Sequence, residues 1–209
     1  MEGKGCLETM GKFRIVALII LVLLSGPLFA RDFFDMNLGL SGVYQGNPTL
    51  AADEFFSGMG TKENWLVGVE LGMRASFIDL VALAVPNDGP SNGLMLHTSG
   101  GFSIPVITDF AYLGVGAGIT TDFEFPESGE SRVNGRFVSE TDFVETVNDS
   151  PIHFRAALDF LLGNASIGLS YYWESQATLL GLQTQGGWAT LFQPGERANL
   201  AVVLRLTVF

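Results

Sequence analysis

Beyond residue 31 the chain alternates apolar and polar residues with a period of two through segment after segment, and this pattern predicts strands. Residues 34–45 set Met36, Leu38, Leu40 and Tyr44 against Asp35, Asn37, Gly39, Ser41 and Gln45, with Val43 the exception. Residues 64–74 set Trp65, Val67, Val69, Leu71 and Met73 against Asn64, Gly68, Glu70, Gly72 and Arg74. Strict alternation of that length describes a strand with one apolar and one polar side. The same pattern marks 94–104, 110–125, 152–162, 165–175 and 198–209. Residues 77–85 are apolar on both sides apart from Asp79, so a short helix competes with a strand there. With that segment taken as a strand, the count is eight.

The connections between these segments alternate in length. Those at 75–76, 105–109 and 163–164 are short, whereas 46–63, 86–93, 126–151 and 176–195 are long. Short periplasmic turns, long external loops and both termini on the periplasmic side are the pattern of a barrel that spans an outer membrane. The aromatic residues agree with this topology. Tyr44, Trp65, Phe123, Phe125, Phe154 and Trp173 fall near the external strand ends, and Phe34, Phe77, Phe102, Phe110 and Phe160 near the periplasmic ends. Aromatic rings suit the headgroup boundary, so two belts of them are expected.

The first thirty residues stand apart from this pattern. Lys12 and Arg14 precede an apolar run over 15–24, then Ser25, Gly26 and Pro27 break it, and Ala30 is a small residue suited to a cleavage site. Ten apolar residues make a signal-peptide core and are short for a membrane helix, which needs about 20. The expected organisation is a signal peptide over 1–30 and a barrel over 31–209.

Composition narrows the function classes. Charged residues make up only 16% of the chain, below the roughly 25% of a soluble domain. Beyond residue 30 there are eight basic and twenty acidic residues, a net charge of −12. Nucleic-acid binding calls for the opposite sign. The single cysteine, Cys6, lies in the leader. The remaining chain can form no disulfide and offers no thiol nucleophile; with two histidines it has no metal-ligand set either. No cofactor is expected.

The strand pattern and the terminal run 200–209, Leu-Ala-Val-Val-Leu-Arg-Leu-Thr-Val-Phe, resemble the small eight-stranded outer-membrane barrels, the group of the OmpA membrane domain, OmpX and OmpW. The resemblance implies an all-β, eight-stranded antiparallel up-and-down transmembrane barrel, monomeric, in the outer membrane. It also implies that Phe209 is a signal read by the barrel-assembly machinery. Phe209 falls in phase with Thr207 and Arg205, whereas Val208, Leu206 and Leu204 hold the lipid-facing side.

On this topology the inward charges are Glu70, Arg74, Asp79, Arg155, Asp159, Glu174 and Arg205, with His97 among them. An eight-stranded barrel has room inside for side chains and little else, so an ion-pair network filling the lumen is the expectation. The inward glycines Gly114, Gly116 and Gly118 are expected to make room for side chains from across the barrel. His97 and Ser99 form an H-x-S pair similar to one used by some barrel lipid A deacylases. A Ser activated by His needs a third group to orient the base, and none is assigned by spacing, so no catalytic residue is expected.

The loops divide by chemistry. Residues 126–151 carry Glu127, Glu130, Glu140, Asp142, Glu145 and Asp149 against Arg132 and Arg136, as a solvated loop would. The first and last loops are apolar instead: Phe55, Phe56 and Met59 in one, and Leu179, Leu180, Leu182, Trp188, Leu191 and Phe192 in the other. Gly186–Gly187 is a hairpin signal within the last loop. These residues either extend the wall as hairpins or greet a lipid, a host surface or a hydrophobic solute. Three readings follow: a filled barrel with interacting loops, a narrow OmpW-like port for small hydrophobic solutes, and a lipid acyl hydrolase.

Overall fold

A computed structural model describes residues 34–46, 52–87, 92–127, 129–138, 142–184 and 187–208. The leader expected over 1–30 and the terminal Phe209 lie outside the described residues. Eight strands carry the wall: β1 (Phe34–Gly46), β2 (Trp65–Ala75), β3 (Ile78–Asn87), β4 (Asn92–Ile107), β5 (Ala111–Phe125), β8 (Pro151–Leu162), β9 (Ala165–Thr178) and β10 (Pro194–Thr207). Two two-residue strands, β6 (Arg132–Val133) and β7 (Arg136–Phe137), form a hairpin within the β5–β8 connection. Each wall strand pairs antiparallel with both neighbours, and the pairings β1 with β10 and β4 with β5 close the sheet into a ring. The chain is therefore a closed eight-stranded barrel, as the alternation predicts.

The three tight connections share a device. Ser76, Asp109 and Gly163 each adopt a positive φ, at 56°, 58° and 72°, which lets a two- or three-residue turn reverse the chain. These turns and both ends of the barrel chain lie at one end, the turn end; the long connections lie at the other, the loop end. The ring is fastened at the turn end where the Val208 amide donates to the Met36 carbonyl, 2.7 Å.

Strand boundaries differ from the sequence reading most at three places, one of them the end of β9, which runs to Thr178 rather than 175. β4 runs on through Pro105 to Ile107, with a register shift that accommodates the proline. β10 begins at Pro194 rather than near 198, again across a register shift. Period-two counting loses its phase at such irregularities. The doubly apolar third segment is a strand, not a helix. Asp79, Val81, Leu83 and Val85 are buried inside it, while Ile78 and Leu80 are exposed outside.

The long connections are folded. Helix α1 (Ala52–Gly58) and a 3-10 turn at Lys62–Asn64 occupy the first. The β6–β7 hairpin and helix α2 (Phe143–Asn148) occupy the third, so it is not merely a solvated loop. Asn134 organises it: its side chain accepts from the Asp122 amide (2.9 Å) and donates to the Thr146 carbonyl (3.0 Å) and Ser150 Oγ (2.9 Å). In the last connection Gly186 of the expected hairpin turn lies outside the described residues, and the described residues beyond Thr178 form no hairpin. Helix α3 (Leu179–Leu182) and a 3-10 turn at Gly187–Thr190 take its place. Thr178 caps α3, its hydroxyl accepting from the Gly181 amide at 3.0 Å, which favours a helical start over further strand.

Candidate functional site: the lumen and the loop-end rim

The inward face of the barrel is built in two halves. Toward the turn end, Arg155 Nη1 donates to Asp79 Oδ2 at 2.7 Å and Arg74 Nη2 to Asp159 Oδ2 at 3.2 Å. Arg205 reaches two carboxylates, Glu70 Oε1 through Nε and Asp159 Oδ1 through Nη1, each at 2.5 Å. Three arginines thus meet three carboxylates, a network of zero net charge. Its members come from β2, β3, β8 and β10, strands on opposite sides of the ring. Arg74 also lies over the Tyr112 ring, 4.4 Å from its centroid. Little space remains: a cavity of about 20 Å³ opens among Arg74, Asp79, Asp159 and Arg205, room for about one water.

Small neighbours make this packing feasible. Gly39 stands in register between Glu70 and Arg205, and Gly168 faces the meeting point of Arg205 and Asp159. Of the three β5 glycines expected to serve this purpose, Gly114 does, beside Asp79 and Arg155. Gly116 and Gly118 do not: a Cβ there would meet the β4 backbone at Gly100 and Thr98. They are required by the close approach of two strands rather than by side chains across the lumen.

Toward the loop end the lumen changes character. Val43, Leu83, Val85, Met95, Tyr172, Ala201 and Val203 form one buried cluster. Val43, the exception to the alternation of β1, is explained by this cluster. Beside it runs a hydrogen-bonded chain. Asn199 Nδ2 faces His97 Nε2 at 3.0 Å, His97 Nδ1 faces Thr120 Oγ1 at 2.9 Å, and Thr120 Oγ1 faces His153 Nδ1 at 3.0 Å. The Thr120 hydroxyl has one proton, so it donates to one imidazole and accepts from the other. Tyr172 stacks on His97, with ring centroids 5.0 Å apart. Both ring nitrogens of His97 are therefore engaged away from Ser99, and the H-x-S pair is not a base poised on a nucleophile.

Glu174 is buried, but it does not join the ionic network at the turn end. It belongs to a separate group nearer the loop end, where Arg197 bonds Asp122 Oδ2 at 2.5 Å and its charge also acts on Glu174. The sequence reading does not include Arg197, because the alternation places the start of the last strand at 198 and the strand begins at Pro194. Arg197 lies two residues before Asn199, in the inward phase of Asn199, Ala201, Val203 and Arg205, and that phase is the signal that could have found it.

The outer wall is apolar and exposed. Leu38, Leu40, Val67, Phe102, Ile104, Val115, Leu204 and Leu206 are each more than half exposed, and between them they come from β1, β2, β4, β5 and β10. At the turn end Phe77 stacks on Phe102 (6.0 Å) and Phe110 lies against Phe160 (5.8 Å). At the loop end Tyr44 lies against Trp65 (5.7 Å) and Phe154 against Trp173 (5.3 Å). Each pair joins rings that the alternation assigned to the same belt.

Of the apolar loop residues, Phe55 sits edge-on against Tyr44 and Tyr171 on the outer wall, with Phe56 against it. Phe192 stacks on Phe154. Trp188, Leu179 and Phe56 are exposed, and Leu182 is half-buried.

No protein-family model matches the chain, and no curated protein matches it in sequence. In structure it is similar to the N-terminal β-barrel domain of Pseudomonas aeruginosa OprF, at 10% identity and a TM-score of 0.45, covering 81% of this chain and 97% of that one. It is also similar to Ail, the attachment invasion locus protein of Yersinia pestis, at 12% identity and a TM-score of 0.42, covering 83% and 95%. The backbone structure of the outer membrane protein Ail in a phospholipid bilayer nanodisc compares at 13% identity and a TM-score of 0.42, covering 82% and 98%.

Proposed function

We propose that this chain is an integral outer-membrane barrel, exported by the segment 1–30, with a filled lumen and folded external loops as its working surface. The observation that carries the membrane reading is the inside-out surface. Soluble monomers rarely expose contiguous apolar patches beyond a few hundred Å², whereas here exposed Leu, Val, Ile and Phe side chains are spread over strands all round the ring. On β8 the outward series Ile152, Phe154, Ala156, Leu158, Phe160 and Leu162 spans ten residue steps without a polar member. At about 3.3 Å per residue and a tilt near 40° that is roughly 25 Å, the height of the apolar band of such barrels.

The loop end then faces outward, and the acidic third loop, ordered around Asn134, offers an interaction platform for a surface ligand or for envelope integrity. The terminal run 200–209, Phe209 included, is the segment presented to the assembly machinery. The role is non-enzymatic and needs no cofactor.

The test is refolding of residues 31–209 in detergent. Boiled and unboiled samples are expected to migrate differently on SDS gels, and planar bilayers holding the protein to show no single-channel conductance. A β-rich protein soluble without detergent overturns the membrane reading; steady conductance overturns the filled lumen alone. One observation favours a port for small hydrophobic solutes instead, namely the apolar cluster of Leu83, Val85 and Met95 in the lumen wall. That reading requires solute uptake into proteoliposomes that is lost in Trp188→Asp or Phe192→Asp.

A further inference from the structure

Described residues of the first and last loops meet rings of the outer wall at the loop end, and side-chain hydrogen bonds from the strand ends hold them there. The Ser175 hydroxyl, buried near the loop end of β9, donates to the carbonyl oxygens of Leu191 (2.7 Å) and Thr190 (3.1 Å). Phe192 stacks on Phe154 of β8, with centroids 5.8 Å apart and the ring planes within 9°. On the other flank Tyr44 Oη donates to the Phe55 carbonyl (2.8 Å) and Trp65 Nε1 to the Met59 carbonyl (2.8 Å). Phe55 meets Tyr171 of β9 at 6.3 Å, so the two loops close on the same strand from opposite sides. Even so, Phe56, Trp188 and Phe192 remain 62%, 65% and 70% exposed.

The chemistry of this sector is distinct from the rest of the loop end. Residues 179–193 contain no charged side chain, in a chain of net charge −11. The third loop, by contrast, exposes Glu127, Glu130 and Glu145, with Arg136 bridging Glu145 and Asp149.

We propose that these two loops form a lipid-contacting collar. Phe56, Trp188 and Phe192 seat at the headgroup–acyl boundary of the outer leaflet and raise the apolar wall over the β8–β9–β10–β1 sector. The collar is continuous with the lipid-facing wall through the ring contacts of Phe154, Tyr44 and Tyr171. Phe56, Trp188 and Phe192 are aromatic, the chemistry that settles at a bilayer interface, and the first loop's charges, Glu54, Lys62 and Glu63, are exposed beside them. The proposal rests on the membrane-barrel reading above. It assigns the apolar loop residues to lipid rather than to a soluble ligand or solute.

The chain has three tryptophans, Trp65, Trp173 and Trp188, which makes the test direct. The full barrel chain carrying Trp65→Phe and Trp173→Phe is refolded into phosphatidylcholine vesicles whose acyl chains are brominated at defined depths. Trp188 emission is expected to fall roughly twofold with bromine close to the glycerol end, less with bromine at the chain end, and to resist aqueous acrylamide. A companion variant that keeps Trp173 alone reports the wall. If Trp173 is quenched by bromine while Trp188 responds only to acrylamide, the collar is wrong and the barrel reading stands. If neither responds to bromine, both fail. Should the double replacement not fold, the difference between the unaltered chain and Trp188→Phe gives the same reading.

Discussion

The two halves of the lumen fill the same width by opposite means. At the turn end, Arg74, Arg155 and Arg205 are matched one for one by Glu70, Asp79 and Asp159, and long side chains cross the barrel to meet. At the loop end, Leu83, Val85, Met95, Val43 and Val203 simply pack, with neutral hydrogen bonds through His97, Thr120 and His153 beside them. The difference lies in how each half fails. A packed cluster that loses a side chain loses burial and keeps a dry void. A paired network that loses one partner strands a charge where water is scarce, and that penalty exceeds the worth of the pair.

The largest effect that sharpens this contrast is expected from Arg155→Met, which leaves Asp79 buried without its partner. A loss of about 3–5 kcal/mol is expected, read from urea unfolding in lipid vesicles. Adding Asp79→Asn is expected to restore much of it. If the double variant is no better than the single one, the pair is not what Arg155 contributes. Leu83→Ala at the apolar half comes next, at about 2–5 kcal/mol by removing buried volume. Bilayers holding that variant are expected to stay silent, because a void lined by apolar atoms stays dry; ion conductance there would show that the apolar half is not a dry seal. The smallest effect belongs to Arg136→Ala in the third loop. Its bridges to Glu145 and Asp149 are half exposed, so a change below about 1 kcal/mol is expected from the same titration.

Most of the wall was legible because a strand in a barrel has a period that sequence displays directly. Each inward residue of β2, Glu70 and Arg74 among them, is separated from the next by one that faces out. Where the period breaks, legibility breaks with it. The register shifts near Pro105 and between Pro194 and Ala198 hid the true ends of β4 and β10, and with them Arg197. The charges of the turn-end network were identifiable as inward, yet their partners were not. Arg155 and Asp79 are 76 residues apart, and Arg205 and Glu70 are 135 apart. Only closure of the ring decides which carboxylate each guanidinium meets. Glu174 shows the limit: correctly placed inside, it belongs to a different group from the one its charge suggested.

The loops divide in the same way. Their composition was plain, acidic in the third and uncharged in the fourth, and so was the apolar character of Phe55, Phe56, Trp188 and Phe192. Their direction was not. A Gly-Gly pair reads as a hairpin, but Thr178 caps α3, Ser175 bonds Thr190 and Leu191, and Phe192 stacks on Phe154 of the wall.

By itself, then, the sequence determined the eight strands, their faces and the end at which each connection lies, because alternation and turn chemistry are local properties of the chain. The tertiary structure alone decided the matching of ions across the lumen, the apolar half hidden behind a doubly apolar strand, and the folding of two loops against the outer wall. Those outcomes depend on contacts between residues far apart in sequence, and no local period records them.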